Sequence, residues 1–184
     1  ADRVRARTVA AARRRARVTL DALNRLPAVA ARDAFGRCCG ASRWIEALLV
    51  ARPFADRAAL LAACDLALAS FERAEWLEAF SHHPRIGDVS APRAEFASTA
   101  SWAGAEQGGT ATATEATLLA LAEGNRAYAV RFGYIFIVCA TGKSAVEMLG
   151  LLAERLKNHP DVELRIAADE QRKITRIRLE KLIS

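Results

Sequence analysis

Apolar residues recur at the three- and four-residue spacing of helices along most of the chain. Capping residues and prolines mark several ends: Thr19 precedes the first apolar set, Pro27 ends it, Pro53 interrupts the chain, and Asp56 and Thr114 stand where further helices can begin. We therefore predict roughly seven or eight helices. The clearest segments are about 20–26, 44–49, 56–71, 71–80, 112–131, 144–157 and 162–183.

One short stretch has the composition of a strand. It covers residues 134–139 and consists of Tyr-Ile-Phe-Ile-Val-Cys. A single segment of this length cannot form a sheet by itself, so we interpret it as a buried extended turn or a strained helix. The fold class is accordingly predicted to be all-α, as a single-domain bundle of roughly seven or eight helices.

The positive charge of the chain is concentrated at one end. The formal net charge is +6, and residues 1–17, with seven arginines and one aspartate, carry all of it. We expect residues 1–17 to form a basic, Arg/Ala-rich extension and residues 18–184 to form the helical domain. A basic arm can contact phosphates without sequence preference, so a helical nucleic-acid-binding module is an alternative, although no specific nucleic-acid partner is expected from a neutral remainder.

The cysteines and the apolar runs exclude several classes of protein. The four cysteines form no Cys-x-x-Cys pair, which is typical of a reduced, cytoplasmic protein with buried thiols. No apolar run approaches the roughly 20 residues of a membrane-spanning helix, so no membrane partner is expected. The segment Gly142-Lys143-Ser144 lacks the leading glycine of a phosphate-binding loop.

The most informative polar stretch covers residues 81–88, Ser-His-His-Pro-Arg-Ile-Gly-Asp. Pro84 pushes His83 toward an extended conformation, which positions the imidazole before any ligand arrives. Adjacent side chains of an extended chain point to opposite sides, so His82 and His83 are expected to do different jobs. An imidazole here can be a capping or core group, a general acid or base, or a metal ligand, and the His spacing gives metal binding little support.

Two further clusters are candidates for ligand binding. Glu106 and Gln107 follow a small-residue stretch that allows backbone to approach a ligand closely, although a surface glutamate at a helix start is the simpler interpretation. Near the C terminus, most of the basic side chains are expected to lie on a solvated helix face. An inward-facing arginine among them can hold a carboxylate through two hydrogen bonds.

Taken together, these residues resemble the 2-oxo-4-hydroxy-4-carboxy-5-ureidoimidazoline (OHCU) decarboxylase family. The resemblance extends over about residues 18–182. Each matching piece is weak alone, but the ordered set is specific. The pieces are Leu23-Asn24, Phe35-Gly36, Trp44, Arg52-Pro53-Phe54, His83-Pro84-Arg85-Ile86-Gly87, Glu106-Gln107, Asn125-Arg126-Ala127-Tyr128, Arg131-Phe132-Gly133-Tyr134-Ile135-Phe136, Arg155-Leu156, Glu163, Lys173-Ile174 and Arg178-Leu179.

The resemblance implies a carboxy-lyase of urate (purine) catabolism that converts OHCU to (S)-allantoin. It implies an all-α domain, often a homodimer, with no metal and no organic cofactor. In this substrate the carbon that loses CO₂ carries a hydroxyl and sits next to a ring C=N, which can take up the released electron pair. The substrate therefore supplies the electron sink that a cofactor provides elsewhere.

The resemblance also implies a set of site residues. His83 corresponds to the catalytic acid or base, Glu106 to the carboxylate that binds ureido or ring N–H groups, and Arg178 to an inward arginine that contacts a substrate oxygen or carboxylate. The other implied substrate-binding residues are Pro84, Ala103, Gly104, Ala105, Gln107, Val138, Cys139, Ala140, Thr141 and Gly142.

Three positions depart from the family pattern. Ala103 stands where the family usually has serine, Ile135 where it has proline, and Thr141 where some relatives have arginine. These changes bear on substrate affinity more than on reaction type, since His83, Glu106 and Arg178 are all present. A catalytically impaired relative with a ligand-binding role is a further alternative.

Overall fold

The computed structural model describes residues 19–83 and 114–183, and all the regular structure in these two ranges is helical. This confirms the predicted all-α class. The eight helices are α1 (Leu20–Arg25), α2 (Ala28–Gly36), α3 (Ser42–Ala51), α4 (Arg57–Ala69), α5 (Arg73–Ser81), α6 (Glu115–Phe132), α7 (Ala145–Arg155) and α8 (Pro160–Leu182). None of them is long and apolar enough to cross a bilayer.

The helix ends follow local chemistry. The side chains of Thr19, Asp56, Thr114 and Ser144 each accept a hydrogen bond from the backbone N–H three residues later, as expected of N-caps. Gly133 ends α6 in the left-handed conformation, with φ 82°, which favours a residue without Cβ. The polar start signals in the sequence therefore correspond to real helix starts.

One helix was not predicted from the hydrophobic pattern. Helix α2 begins directly after Pro27 and buries Ala31, Ala34 and Phe35. Two of its three buried residues are alanines, which contribute little to an apolar periodicity although alanine is the best helix former. The predicted 56–71 segment was also too long, because α4 ends at Ala69 and Phe71 lies in the turn that follows.

Helix α8 is central to the packing of the described residues. It contacts α4 and α5, while α3 contacts α2, α4 and α5, and α6 packs along α7. The buried face of α8 carries apolar residues at helical spacing (Ala167, Ala168, Ile174, Leu179 and Leu182). Polar residues interrupt the same face, and their partners decide where the neighbouring segments lie.

The segment of residues 134–140 forms no helix and is unpaired with any strand in the described ranges, and it is buried except at the half-buried Ile135. Side chains satisfy its backbone: Asn125 Oδ1 accepts from Phe136 N–H at 3.3 Å, and Arg155 donates to the Ile137 carbonyl at 2.8 Å. The segment is therefore not a strained helix, and its burial agrees with the prediction of a buried turn. Since a buried backbone group without a partner is costly, these side chains determine the path of the segment.

A buried ion pair anchors one end of this arrangement. Arg155 Nε donates to Glu163 Oε1 at 2.7 Å, and Asn158 donates to Glu163 Oε2 at 2.7 Å. The Tyr128 hydroxyl also donates to Glu163, and burial together with this carboxylate raises the pKa of Tyr128. The carboxylate of Glu163 is thus surrounded by donors in the core, where an unpaired charge would be severely destabilising.

A close contact fixes the end of α5. A Cβ built on Gly40 would lie 2.1 Å from Cγ of the His82 ring and 2.6 Å from His82 Cβ. No flexible side-chain tip is involved, so any larger residue at position 40 has to displace the base of His82. Only glycine allows the 39–41 segment to lie this close to the turn that carries His82 and His83.

We expect Glu163→Gln to lower the free energy of unfolding by about 3–5 kcal/mol, because it leaves the buried Arg155 cation without its counter-charge. The matched control is Glu154→Gln, which breaks the exposed pair with Lys157 and is expected to change stability by less than about 1 kcal/mol. Urea denaturation of both variants measures the difference. Equal effects would show that the buried pair has no special role in stability.

We expect Gly40→Ala to destabilise the protein by about 1–3 kcal/mol, since the new methyl group has to push His82 out of place. Gly150 in α7 has nothing within 4 Å of the position that a Cβ would occupy, so Gly150→Ala is the control and should be stabilising by about 0.5–1 kcal/mol. The free energies of unfolding of both variants give the test. A Gly40→Ala variant as stable as the parent would disprove the close contact.

Candidate active site

The polar residues on the buried face of α8 form the floor of the candidate site. Gln171, Thr175 and Arg178 follow one another at i, i+4 and i+7, and all three are buried. Gln171 Nε2 donates to Thr175 Oγ1 at 3.1 Å. This spacing places the three side chains on one stripe of the helix, facing the helices that α8 packs against.

His83 lies at the end of α5 beside this stripe. Its backbone N–H donates to the Phe80 carbonyl at 3.1 Å, which closes the turn after the helix. Its half-buried ring interacts with Gln171 and Arg178. His82 instead packs on Gly40, so the two histidines have different surroundings, as predicted. The prediction attributed this difference to an extended chain. The φ of −85° and ψ of 6° of His82 instead belong to a turn.

The electrostatic environment keeps His83 neutral. Loss of solvation and the nearby Arg178 cation lower the pKa of His83 from its ordinary value to about 3, against a smaller raising effect of the Gln171 contact. The imidazole therefore carries a single proton at physiological pH. A neutral ring can accept a proton through one nitrogen while it donates a hydrogen bond through the other.

The thiols next to this stripe are unreactive. Burial raises the pKa of Cys39 to about 11, although the backbone of Ala41 and the hydroxyl of Thr175 partly offset the effect. Burial likewise raises the pKa of Cys38. All four cysteines of the chain are free and buried, which gives none of them the exposed thiolate character of a catalytic cysteine.

The implied ring-binding loop of residues 138–142 lies against the same turn of α8. Glu170 accepts from Cys139 N–H at 2.7 Å, and Lys143 Nζ donates to the Cys139 carbonyl at 2.7 Å. Although burial raises it, the hydrogen bonds from Lys173 and Cys139 bring the pKa of Glu170 below its ordinary value. Glu170 thus binds the loop, and the adjacent Gln171 interacts with His83, so both segments are attached to the same turn of α8.

Aromatic packing connects the loop and the histidine from the other side. The Phe80 ring lies 5.1 Å from the ring of Tyr134, centroid to centroid, and Tyr134 lies 5.8 Å from Tyr128. Phe80 is three residues before His83, and Tyr134 begins the segment that leads into the loop. The loop and the end of α5 are therefore fixed relative to each other by both polar and aromatic contacts.

Seven of the residues that the sequence singled out lie in the described ranges: His83, Arg178, Val138, Cys139, Ala140, Thr141 and Gly142. The structure places His83 near Arg178 and bonds Cys139 of the loop to Glu170 on the same helix. Val138, Cys139 and Ala140 are buried, whereas Thr141 and Gly142 are exposed. The other implied site residues, Pro84, Ala103, Gly104, Ala105, Glu106 and Gln107, lie outside the described residues.

Sequence reasoning missed three residues of this site. Glu170, Gln171 and Thr175 are ordinary helix residues in the sequence, without a motif of their own. A signal was present, because Thr175 and Gln171 precede Arg178 by three and seven positions and so share its face. Within residues 19–83 and 114–183, no three His, Cys, Asp or Glu side chains are grouped so as to hold a metal ion.

The comparisons with known proteins support the same interpretation as the geometry of the site. A sequence model of the family described as OHCU decarboxylase matches residues 24–180. The uric acid degradation bifunctional protein TTL of Arabidopsis thaliana is 40% identical over 154 residues, covering 83% of this chain and 47% of that protein. The 2-oxo-4-hydroxy-4-carboxy-5-ureidoimidazoline decarboxylase of Amia calva is 42% identical over 59 residues, covering 32% of this chain and 34% of that protein. The chain thus spans about half or less of the length of these curated relatives.

Two solved structures are similar to the described fold. A crystal structure of OHCU decarboxylase in the presence of (S)-allantoin superposes with a TM-score of 0.69 at 39% identity, covering 82% of this chain and 97% of that one. A crystal structure of (S)-allantoin synthase gives a TM-score of 0.65 at 20% identity, covering 90% and 54% of the two chains, which shows a shared fold. Because the family match extends over most of the sequence and the Arabidopsis relative is 40% identical across 83% of it, this chain belongs to the OHCU decarboxylase family.

Proposed function

We propose that this protein decarboxylates 2-oxo-4-hydroxy-4-carboxy-5-ureidoimidazoline to (S)-allantoin without a cofactor, as a carboxy-lyase of urate catabolism. Membership of the family supports the reaction class. The observation that carries the proposal is a set of contacts with α8: a neutral imidazole lies near a buried guanidinium, and Cys139 of the loop 138–142 is bonded to Glu170. These groups suit a small, flat, anionic heterocycle that must be oriented and must exchange protons.

The overall chemistry requires few groups from the protein. The bond between the ring carbon and the carboxylate breaks, CO₂ leaves, and the electron pair moves into the neighbouring C=N, whose nitrogen takes up a proton. The resulting enediol-like intermediate loses its hydroxyl proton while the adjacent carbon gains one. In total one proton is consumed for each CO₂ released, and the substrate itself accepts the electron pair, so the protein has to bind, orient and move protons.

Arg178 is proposed to hold the anionic end of the substrate. A guanidinium can bind a carboxylate or an oxyanion through two hydrogen bonds, and its burial at 3% exposure strengthens such an interaction because little water competes. A bound anion also offsets the positive field of Arg178 at His83. Since that field helps to lower the pKa of His83, substrate binding is expected to raise the basicity of the imidazole when it is needed.

His83 is proposed to move the proton of the substrate hydroxyl. A neutral imidazole can accept this proton as the carbonyl of the product forms and can then deliver it to the neighbouring carbon. Delivery from a ring fixed on one side of the substrate protonates only one face, which is what formation of a single enantiomer requires. Glu106, Gln107, Pro84 and the small-residue stretch 103–105 complete the proposed site on the family resemblance.

The departure at Ile135 is compensated within the described structure. Proline at this position would stiffen the chain through its fixed φ, and here side chains do the same work, because Asn125 and Arg155 bind the backbone at Phe136 and Ile137. The loop path is therefore defined without the proline. This supports an active enzyme over an impaired relative that only binds ligand.

We further propose a homodimer in the cytoplasm. The dimer is proposed on the family resemblance, and the location is supported by the four free, buried thiols, with Cys38 and Cys39 adjacent and unbridged.

The reaction is tested by generating the short-lived substrate from urate with the two preceding enzymes and following (S)-allantoin by circular dichroism. We expect the full chain to accelerate its appearance and His83→Ala to reduce the rate by about 10²–10⁴-fold, the usual contribution of a general acid or base. His159→Gln is the matched control, because His159 caps the opposite end of α8, and it should retain activity. If the parent chain gives no acceleration, the decarboxylase proposal is wrong.

A further inference from the structure

Gln171 has an unusual environment for an amide in a helical core. The residue is fully buried, and its Nε2 donates to Thr175 Oγ1. Its Oε1 is buried as well, and it receives no hydrogen bond of good geometry from the described residues. A buried amide oxygen without a donor is destabilising, so this atom requires an explanation.

A hydrogen bond to Thr175 fixes the orientation of the Gln171 amide. Gln171 Nε2 donates to Thr175 Oγ1 at 3.1 Å, and the Thr175 hydroxyl also interacts with the Cys39 sulfur. The amide nitrogen of Gln171 is therefore engaged by Thr175, which leaves the amide oxygen to accept from another donor.

Among the described residues, the His83 ring interacts with the Gln171 side chain. The ring cannot move away freely, because His82 is seated on Gly40 and the His83 N–H is bonded to Phe80. The nearby Arg178 cation also acts on the ring and disfavours a second proton on the imidazole. A singly protonated ring has one N–H to donate, and Gln171 Oε1 is the acceptor that needs it.

We propose that Gln171 is a positioning residue for His83: its Oε1 accepts the ring N–H and so directs the unprotonated nitrogen toward the substrate. The inference rests on the proposed function for the use made of that nitrogen, whereas the contact itself is a property of the free protein. Without Gln171 the neutral ring distributes its proton over both nitrogens, and part of the population presents an N–H where a base is required.

The test uses the ring ¹⁵N shifts of His83 in the full-length chain without substrate, assigned by comparison with His83→Gln. In the parent we expect two widely separated shifts, the signature of one tautomer. In Gln171→Met, which keeps the length but removes the acceptor, the two shifts should move toward each other. Gln171→Glu retains an acceptor oxygen and should restore the separation, and Ile174→Met is the matched core substitution that should leave it unchanged.

Turnover gives the second measurement. We expect Gln171→Met to lower kcat by about tenfold with little change in KM, the effect of losing roughly one hydrogen bond, while Ile174→Met retains the parent kcat. Unchanged shifts in Gln171→Met would overturn the hydrogen bond, and altered shifts with an unchanged kcat would overturn its positioning role.

If Gln171→Met fails to fold, Thr175→Val is the substitute variant, because it removes the hydrogen-bond acceptor of the Gln171 amide nitrogen. It should move the His83 shifts in the same direction, and unchanged shifts there would also overturn the proposal.

The two proposals fail separately. A parent chain that produces no (S)-allantoin contradicts the proposed reaction, yet its His83 shifts still report on Gln171. Conversely, if the parent is active but substitutions at position 171 leave the His83 tautomer unchanged, the proposed reaction stands and this inference is wrong.

Discussion

The structure depends on how the buried face of α8 satisfies its polar groups. Glu163, Gln171, Thr175 and Arg178 are all withdrawn from water on a helix that packs against the core, and each unpaired group would be destabilising. Their partners come from other elements: Arg155 of α7 binds Glu163, Cys39 interacts with Thr175, and His83 in the turn after α5 interacts with Gln171 and Arg178. Pairing these groups therefore stabilises the bundle and assembles the candidate site at the same time.

Several residues that define the family resemblance hold the scaffold. Asn24 exchanges two hydrogen bonds with the backbone of Phe54, at 2.8 and 2.9 Å, and Arg52 binds the carbonyls that end α1. Asn125 supports the extended segment at Phe136. Such residues persist in a motif because buried backbone groups need partners, and they position the loop and helix ends on which the proposed chemistry depends.

Most of the helices can be predicted from local signals in the sequence, whereas the site can be predicted only in part. Caps and apolar spacing predicted seven of the eight described helices, and α2 was missed because its buried residues are largely alanines. His83 and Arg178 stood out through the proline that follows one and the resemblance that covers both. Gln171 carried only the weak signal of sharing a helix face with Arg178, since an amide in a helix is ordinary until the packing of α5 on α8 brings it to an imidazole. Tertiary contacts of that kind are not encoded in short-range pattern.

The central claim is that packing against α8 holds His83 as a neutral base beside Arg178. Because the unfolded chain protonates this ring near pH 6.5 and the folded chain only near pH 3, the stability contributed by the neutral ring is complete above about pH 6.5 and is lost as the pH falls toward 3. The most direct test is an NMR titration of the His83 ring carbons in the folded chain from pH 8 to pH 4. The account predicts no titration step for His83 in this range, and a step centred near pH 6.5 would contradict it.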